Sequence, residues 1–303
     1  MFNIGYEETG LDKITVRLKW LHQAQFAGFY TAEQKGFYKE NGVDVRLVPG
    51  GAETPSIQVV AGGSEQFGVT GIAQLMEARE KGIPVVALAV IYRKNPLIWF
   101  TVNENITTAE DLVGKKVGVT LGSNSDLLFR AMLKKAGVDI NEVETVPVKY
   151  SIATLLAGQI DAYEGYMTDQ PISAQMKGFE TYIINPDDYG IHFYGDTLFT
   201  TEQMIKNNPD LVRRFVNATL EGWEYAYSHP DEAVDYVLMY SDQLNREQET
   251  RGMQISLELL HPDDKPIGTI NREVLEEIHD LLVNNDIIEP INLDEVYTTE
   301  FFP

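Results

Sequence analysis

The chain is 303 residues long, 44% hydrophobic and 23% charged. That composition supports one large or two medium cores and excludes disordered, collagen-like and miniprotein classes. With 24 Lys+Arg against 46 Asp+Glu the formal charge is -22, so an unspecific grip on a phosphate backbone works against the protein's own field and nucleic acid is not an expected partner. The absence of cysteine removes disulfide frameworks, thiolate zinc sites, iron–sulfur clusters and cysteine nucleophiles together.

The most apolar stretch, Pro84 to Tyr92, is far short of the ~20 residues needed to cross a bilayer, so a soluble chain is expected. The opening MFNIGYEETG has neither a basic nor an apolar signal region, and no signal peptide is read there. A chain starting after a removed signal or lipid-anchor segment would look the same.

Ile14, Val16, Leu18 and Trp20 alternate with polar residues, the period of a half-buried strand. Phe26 to Glu40 then carries apolar residues at helical spacing and ends at Asn41-Gly42, a left-handed stop. Val43 to Val48 reads as a second strand, and a right-handed crossover makes the pair parallel. The grammar repeats: Thr54 to Ala61 helical, Gln66 to Thr70 extended, Ile72 to Lys81 helical, Val85 to Ile91 extended. A parallel α/β sheet is expected.

Beyond Asn95-Pro96, Leu97 to Val102 reads as extended, and a fresh series begins with Ala109 to Leu112, Lys116 to Thr120 and Ser125 to Ala136. Gly137-Val138-Asp139 repeats the stop of Gly42-Val43-Asp44, which suggests two lobes built on one plan. After about residue 200 the pattern is helical: Pro209 to Ser228, Asp231 to Tyr240, Arg246 to Leu260 and Arg272 to Asn284. No Gly/Ser linker separates the parts, as fits two lobes joined by crossing segments. The crossings are expected near Pro96 to Asn103 and Tyr194 to Thr201, giving one lobe of residues 13–98 plus 199–303 and another of 99–198.

Ligands of parallel α/β sheets sit beyond the carboxyl ends of the strands. That rule selects Trp20, Gln23, Gln25 and Phe26 after the first strand, Gly51 after the second, and Gln74 after the third. Further along it selects Tyr92 and Asn95, then Ser123, Asn124 and Asp126, then Glu164, Tyr166, Asp169 and Gln170. Rings with amides, hydroxyls and carboxylates suit a flat heteroaromatic ligand, stacked on its faces and hydrogen-bonded around its edge. For Phe26, Phe29 and Tyr30 ordinary core packing competes with a ligand role. A plain helix cap competes at Ser123 and Asn124.

No catalytic or metal site is assigned. His22, His192, His229, His261 and His279 are scattered without metal spacing, and no phosphate-binding glycine loop or nucleophile elbow is present. Glu273, Glu276 and Glu277 read as a solvated helix face.

The run from Lys19-Trp20-Leu21-His22-Gln23-Ala24-Gln25-Phe26-Ala27-Gly28 to Phe29-Tyr30, then Lys35-Gly36-Phe37-Tyr38 and Asn41-Gly42-Val43-Asp44-Val45, resembles the N-terminal signature of the NMT1/THI5-like family. The likeness continues through Ala61-Gly62-Gly63, Phe67-Gly68, Asp111 to Gly118 and Gly158 to Ala162, covering roughly residues 13 to 240. The resemblance implies a type II periplasmic-binding-protein fold, two α/β lobes closing on a ligand through a hinge, here with extra C-terminal helices.

Members of that family divide between solute receptors of ABC importers and an enzyme that builds the thiamin pyrimidine from its own residues. The enzyme branch requires a lysine, a histidine four residues later and a cysteine-rich run. Here Thr70 and Gln74 stand at the corresponding places and there is no cysteine. The expectation is therefore a non-enzymatic receptor without cofactor. Its ligand is riboflavin in the favoured reading, with a formylated or hydroxymethylated aminopyrimidine as the alternative; a ligand-sensing domain is a third class.

In the expected mechanism Trp20 and Tyr166 or Tyr92 contact ring faces, and Gln23, Gln74, Asn95 and Gln170 hold edge groups. A riboflavin polyol would use Asn124, Asp126 or Asp169, while Ser123, Asn124 and Glu164 would couple affinity to closure. The implied partner is an ABC transporter permease. The implied setting is extracytoplasmic, as a monomer that touches the membrane only through a possible removed lipid anchor.

Overall fold

The computed structural model describes residues 10–51, 53–121, 124–148, 151–261 and 265–303, with the Asn124 side chain outside that set. Two five-stranded sheets carry the fold. The first is built from β1 (Asp12–Arg17), β2 (Val43–Val48), β3 (Phe67–Gly71), β4 (Val85–Val90) and β10 (Asp196–Thr201). The second takes β5 (Leu97–Thr101), β6 (Lys116–Val119), β7 (Glu144–Pro147), β8 (Ala162–Tyr166) and β9 (Tyr182–Ile184). Their orders, β2-β1-β3-β10-β4 and β7-β6-β8-β5-β9, are the same plan twice.

The sheets are mixed, not purely parallel. β1 runs parallel to β2 and β3, and β6 to β7 and β8. β10 is antiparallel to β3 and β4, and β5 is antiparallel to β8 and β9. These two strands are the segments expected to cross between lobes. Instead each is a full strand of the sheet it enters, and the passages lie just before them, in residues 91–96 and 185–195. Sheet membership thus puts Leu97 and Ile98 with the second lobe and Asp196 to Leu198 with the first, a few residues from the expected boundaries. The passages lie side by side: the Gly195 amide donates to the Tyr92 carbonyl at 2.8 Å, and the Ile91 amide to the Asp196 carbonyl at 2.8 Å.

Two further differences are local. The single helix expected over 26–40 is broken into Ala27–Gln34 and Phe37–Glu40, because Gly36 takes a φ of 85°, the left-handed region open mainly to glycine. The first strand ends at Arg17 instead of reaching Trp20. The Leu18 amide still pairs with the Val48 carbonyl, but Lys19 and Trp20 then leave the ladder, and the Trp20 carbonyl accepts from Gly50 at 2.9 Å.

Helices Ala27–Gln34 and Pro209–Ser228 cover one face of the first sheet and bury Phe29, Tyr30, Phe215 and Trp223. A second buried cluster runs from Val85 and Met76 through Phe193 and Tyr194 to Trp99 and Phe129, so apolar packing is continuous past the passages. Glu273, Glu276 and Glu277 face solvent. Among the described residues no helix is long and apolar enough to cross a membrane.

The two covering helices touch through glycine. A Cβ on Gly28 would lie 2.1 Å from the Trp223 ring, and one on Gly222 2.4 Å from the Gly28 carbonyl. Gly28→Ala is therefore expected to lower stability by about 2 kcal/mol, the usual cost of overpacking a core. The check is a denaturant midpoint that falls while the slope stays unchanged.

Candidate ligand-binding site

A cavity of about 880 Å³ opens between the two sheets, within the size range of pockets that enclose small organic ligands. The first lobe contributes the loop after β1 and the entry to helix Ile72–Glu80; the second contributes β8, the turn into helix Gln170–Met176 and the first turns of helix Asn124–Lys135. Phe193 and Tyr194 of the second passage also line it.

The cavity brings together Trp20, Gln23, Gln25, Gln74, Asn95, Glu164, Tyr166, Asp169 and Gln170 from both lobes. Trp20 is half-buried there at the edge of the first-lobe core. Several edge groups are already oriented. Glu164 accepts from the Thr120 amide at 2.9 Å and from the Thr120 hydroxyl. Gln170 Oε1 accepts from the Tyr166 amide at 2.7 Å while its Nε2 donates to Asp169 at 2.7 Å. Asn95 Oδ1 accepts from the Leu97 amide at 3.0 Å.

Other expected residues lie elsewhere. Tyr92 is fully buried, its ring edge-on to Trp223 at 6.1 Å and its hydroxyl 2.7 Å from that of Ser256; the residue at a strand's end turned into the core, not the cleft. Phe26 is likewise wholly inside the first-lobe core. Gly51 forms an isolated bridge with Thr54 and is absent from the cavity wall. Asp126 pairs with Arg130 one turn along its own helix at 2.8 Å, away from the wall. Ser123 and the Asn124 side chain lie outside the described residues. His22 rests on Tyr30 and Tyr240, with Nδ1 2.8 Å from the Tyr30 hydroxyl, and burial lowers its pKa.

Sequence reasoning missed the charged centre. Lys19 Nζ donates to Asp196 Oδ1 at 3.1 Å and, across the cleft, to the Tyr166 hydroxyl at 2.5 Å. Gln25 Nε2 donates to the other Asp196 oxygen at 2.6 Å, and Gln23 Nε2 donates to Gln25 Oε1. Burial alone would lower the Lys19 pKa, but the Tyr166 and Asp196 oxygens outweigh it and hold the ammonium well above the ordinary lysine range. Asp196 opens β10, which runs against its neighbours β3 and β4, so its amino end shares an edge with their carboxyl ends. A search of carboxyl ends alone passes it by. Ser125, Leu128, Tyr163 and Phe193 also reach the wall.

Helix Arg246–Leu260 ties the lobes together beside this centre. Gln248 Nε2 donates to Asp169 Oδ1 at 2.8 Å, Arg251 donates to Gln175, and Glu249 accepts from the Ala24 amide at 2.6 Å. Burial, helped by the nearby Asp169 charge and opposed by the Ala24 amide, pushes the Glu249 pKa up to about 7.

Two lobes of matching strand order, joined by paired passages and enclosing a cavity, define a periplasmic-binding-protein fold. Among solved structures, the periplasmic aliphatic sulphonate-binding protein SsuA from Escherichia coli superposes with a TM-score of 0.74 at 16% identity, covering 95% of this chain and 92% of that one. The chain belongs to the NMT1/THI5-like family, whose profile matches residues 23–233. It is 27% identical over 307 residues to the formylaminopyrimidine-binding protein of Halalkalibacterium halodurans, covering 98% of this chain and 93% of the relative. It is 25% identical over 240 residues to the riboflavin-binding protein RibY of Chloroflexus aurantiacus, covering 76% and 67%.

Glu249 makes stability depend on pH. From the ordinary value of 4.5 up to about 7, the folded protein holds a proton that the unfolded chain has released, so stability falls as pH rises through that window. Glu249→Gln keeps an acceptor for Ala24 without the titration. Its stability relative to the parent is expected to rise by on the order of 2 kcal/mol between the two ends of the window, read from denaturation curves over the range.

Proposed function

We propose that the protein is an extracytoplasmic solute-binding protein of an ABC importer that reversibly captures a flat heteroaromatic vitamin or precursor, riboflavin being the favoured member. The observation that carries this reading is the cavity itself: about 880 Å³, walled by both lobes, with Trp20 at one side and amides and carboxylates around it. An indole stacks on a ring face, while Gln23, Gln74, Asn95 and Gln170 meet edge groups. The volume has room for a fused ring with a polyol as well as for a lone pyrimidine. Names borne by two relatives, a formylaminopyrimidine-binding and a riboflavin-binding protein, support the ligand class.

The lobes, residues 13–98 with 199–303 and residues 99–198 apart from the strand-end residues noted above, are proposed to close about the passages. Closure is driven by contacts that exist only in the closed state, and the closed form docks on a permease. The protein acts as a monomer, with any membrane attachment supplied by a lipid. No bond is made or broken: Thr70 and Gln74 stand where the family's enzyme branch needs its lysine and histidine, and cysteine is missing. A thiamin-pyrimidine precursor is the second reading, favoured by the near full-length match to the formylaminopyrimidine-binding relative.

Titrating the protein with riboflavin, followed by flavin fluorescence, and with thiamin pyrimidines, followed by thermal shift, separates the two ligands. Recovery of a chemically altered ligand after prolonged incubation would overturn the receptor reading in favour of an enzyme. Trp20→Ala is expected to weaken binding by roughly tenfold to a hundredfold, from lost stacking and apolar contact, with a melting temperature close to that of the parent. Undiminished affinity in that variant would remove Trp20 from the site.

A further inference from the structure

The five side chains Gln23, Gln25, Asp196, Lys19 and Tyr166 form one hydrogen-bonded chain across the cleft. Its direction is fixed by chemistry. Asp196, 1% exposed and paired with an ammonium, is a carboxylate that only accepts. Gln25 must therefore turn its NH₂ toward Asp196 and its carbonyl toward Gln23. Gln23 must answer with its own NH₂, which leaves the Gln23 carbonyl oxygen for the cavity. On the other arm Lys19 only donates, so the Tyr166 oxygen accepts from it and the Tyr166 proton is free to point elsewhere. Both end groups line the cavity.

The charge balance of the same wall runs one way. Lys19 is the only basic residue lining the cavity among the described residues, and Asp196 neutralises it at 3.1 Å. Glu164 and Asp169 on the facing lobe have neutral partners, Thr120 for one and Gln170 with Gln248 for the other. An anion brought into this space would meet uncompensated carboxylates in a medium poorer than water at screening them.

We propose that Asp196 is a positioning residue that sets the ligand class. By neutralising Lys19 and orienting both glutamines, it fits the cavity to an uncharged ring edge that gives a donor to Gln23 and an acceptor to Tyr166, and closes it to phosphate esters. An imide N–H beside a carbonyl meets this pattern, as does an exocyclic amine beside a ring nitrogen. The inference rests on the cavity being the solute site proposed above.

The test compares riboflavin with its 5′-phosphate, and hydroxymethyl-aminopyrimidine with its phosphate, by calorimetry on the full chain. The neutral member of at least one pair is expected to bind tighter by roughly thirtyfold or more. Asp196→Asn leaves the Lys19 charge unmatched, so the neutral ligand is expected to lose about tenfold while the ester gains; Lys19→Gln added to it abolishes that gain. A purely structural role for Asp196 would weaken both ligands in step, and that result overturns the proposal, as does an ester that binds the parent as well as its neutral counterpart. If Asp196→Asn does not fold, Gln25→Met breaks the relay and keeps the ion pair. It is expected to narrow the ratio by costing the neutral ligand more than the ester, and equal losses overturn the proposal. Binding of none of the four compounds overturns the solute reading itself, and the inference with it.

Discussion

The arrangement depends on one topological constraint: after each crossing between lobes the chain joins the sheet by an antiparallel strand placed between two others. β10 sits between β3 and β4, and β5 between β8 and β9. Because each inserted strand runs against its neighbours, its amino end lies at the edge where parallel strands finish and helices begin. Asp196 and the passage residues before it are thereby delivered to the same rim as Lys19, Trp20 and Gln74. The geometry of the cleft follows from strand direction before any side chain is considered.

Much of this was legible in residue patterns, for definite reasons. Alternation in Ile14 to Leu18 and the stop at Asn41-Gly42 specify a strand, a helical segment and a second strand, and β2 has the extent its valines mark out. The long amphipathic helices are equally plain, Pro209–Ser228 and Arg246–Leu260 most of all. The short strands β7 and β9 were not, since Glu144–Pro147 and Tyr182–Ile184 are half-exposed edges with no sustained period. Direction was not legible either: Leu97–Thr101 is as apolar as a parallel strand would be, and only its pairing with β8 reveals its sense.

The site divides along a similar line. Trp20 and Gln23, just past a strand end, reach the cavity wall that their position alone predicts. Tyr92 and Phe26 satisfy the same rule and fail it, since an aromatic at a strand end can turn either way and Trp223, Ser256 and the first-lobe core offered burial. Lys19 and Asp196 are 177 residues apart, and no local spacing announces such a pair. The resemblance to the NMT1/THI5-like family and the profile match agree on the family, whereas the charge arrangement at the cleft emerges only from the folded chain.

Helix Arg246–Leu260 touches both sides of the molecule. It holds Asp169 and Gln175 on the second lobe, and near its last turn the Leu259 carbonyl accepts from the amides of Arg93 and Lys94 in the first passage. A pair of lobes tethered by two passages alone could swing about many axes. A third strip of contact narrows that freedom, because any separation of the lobes on this side has to break the Gln248–Asp169 and Arg251–Gln175 hydrogen bonds.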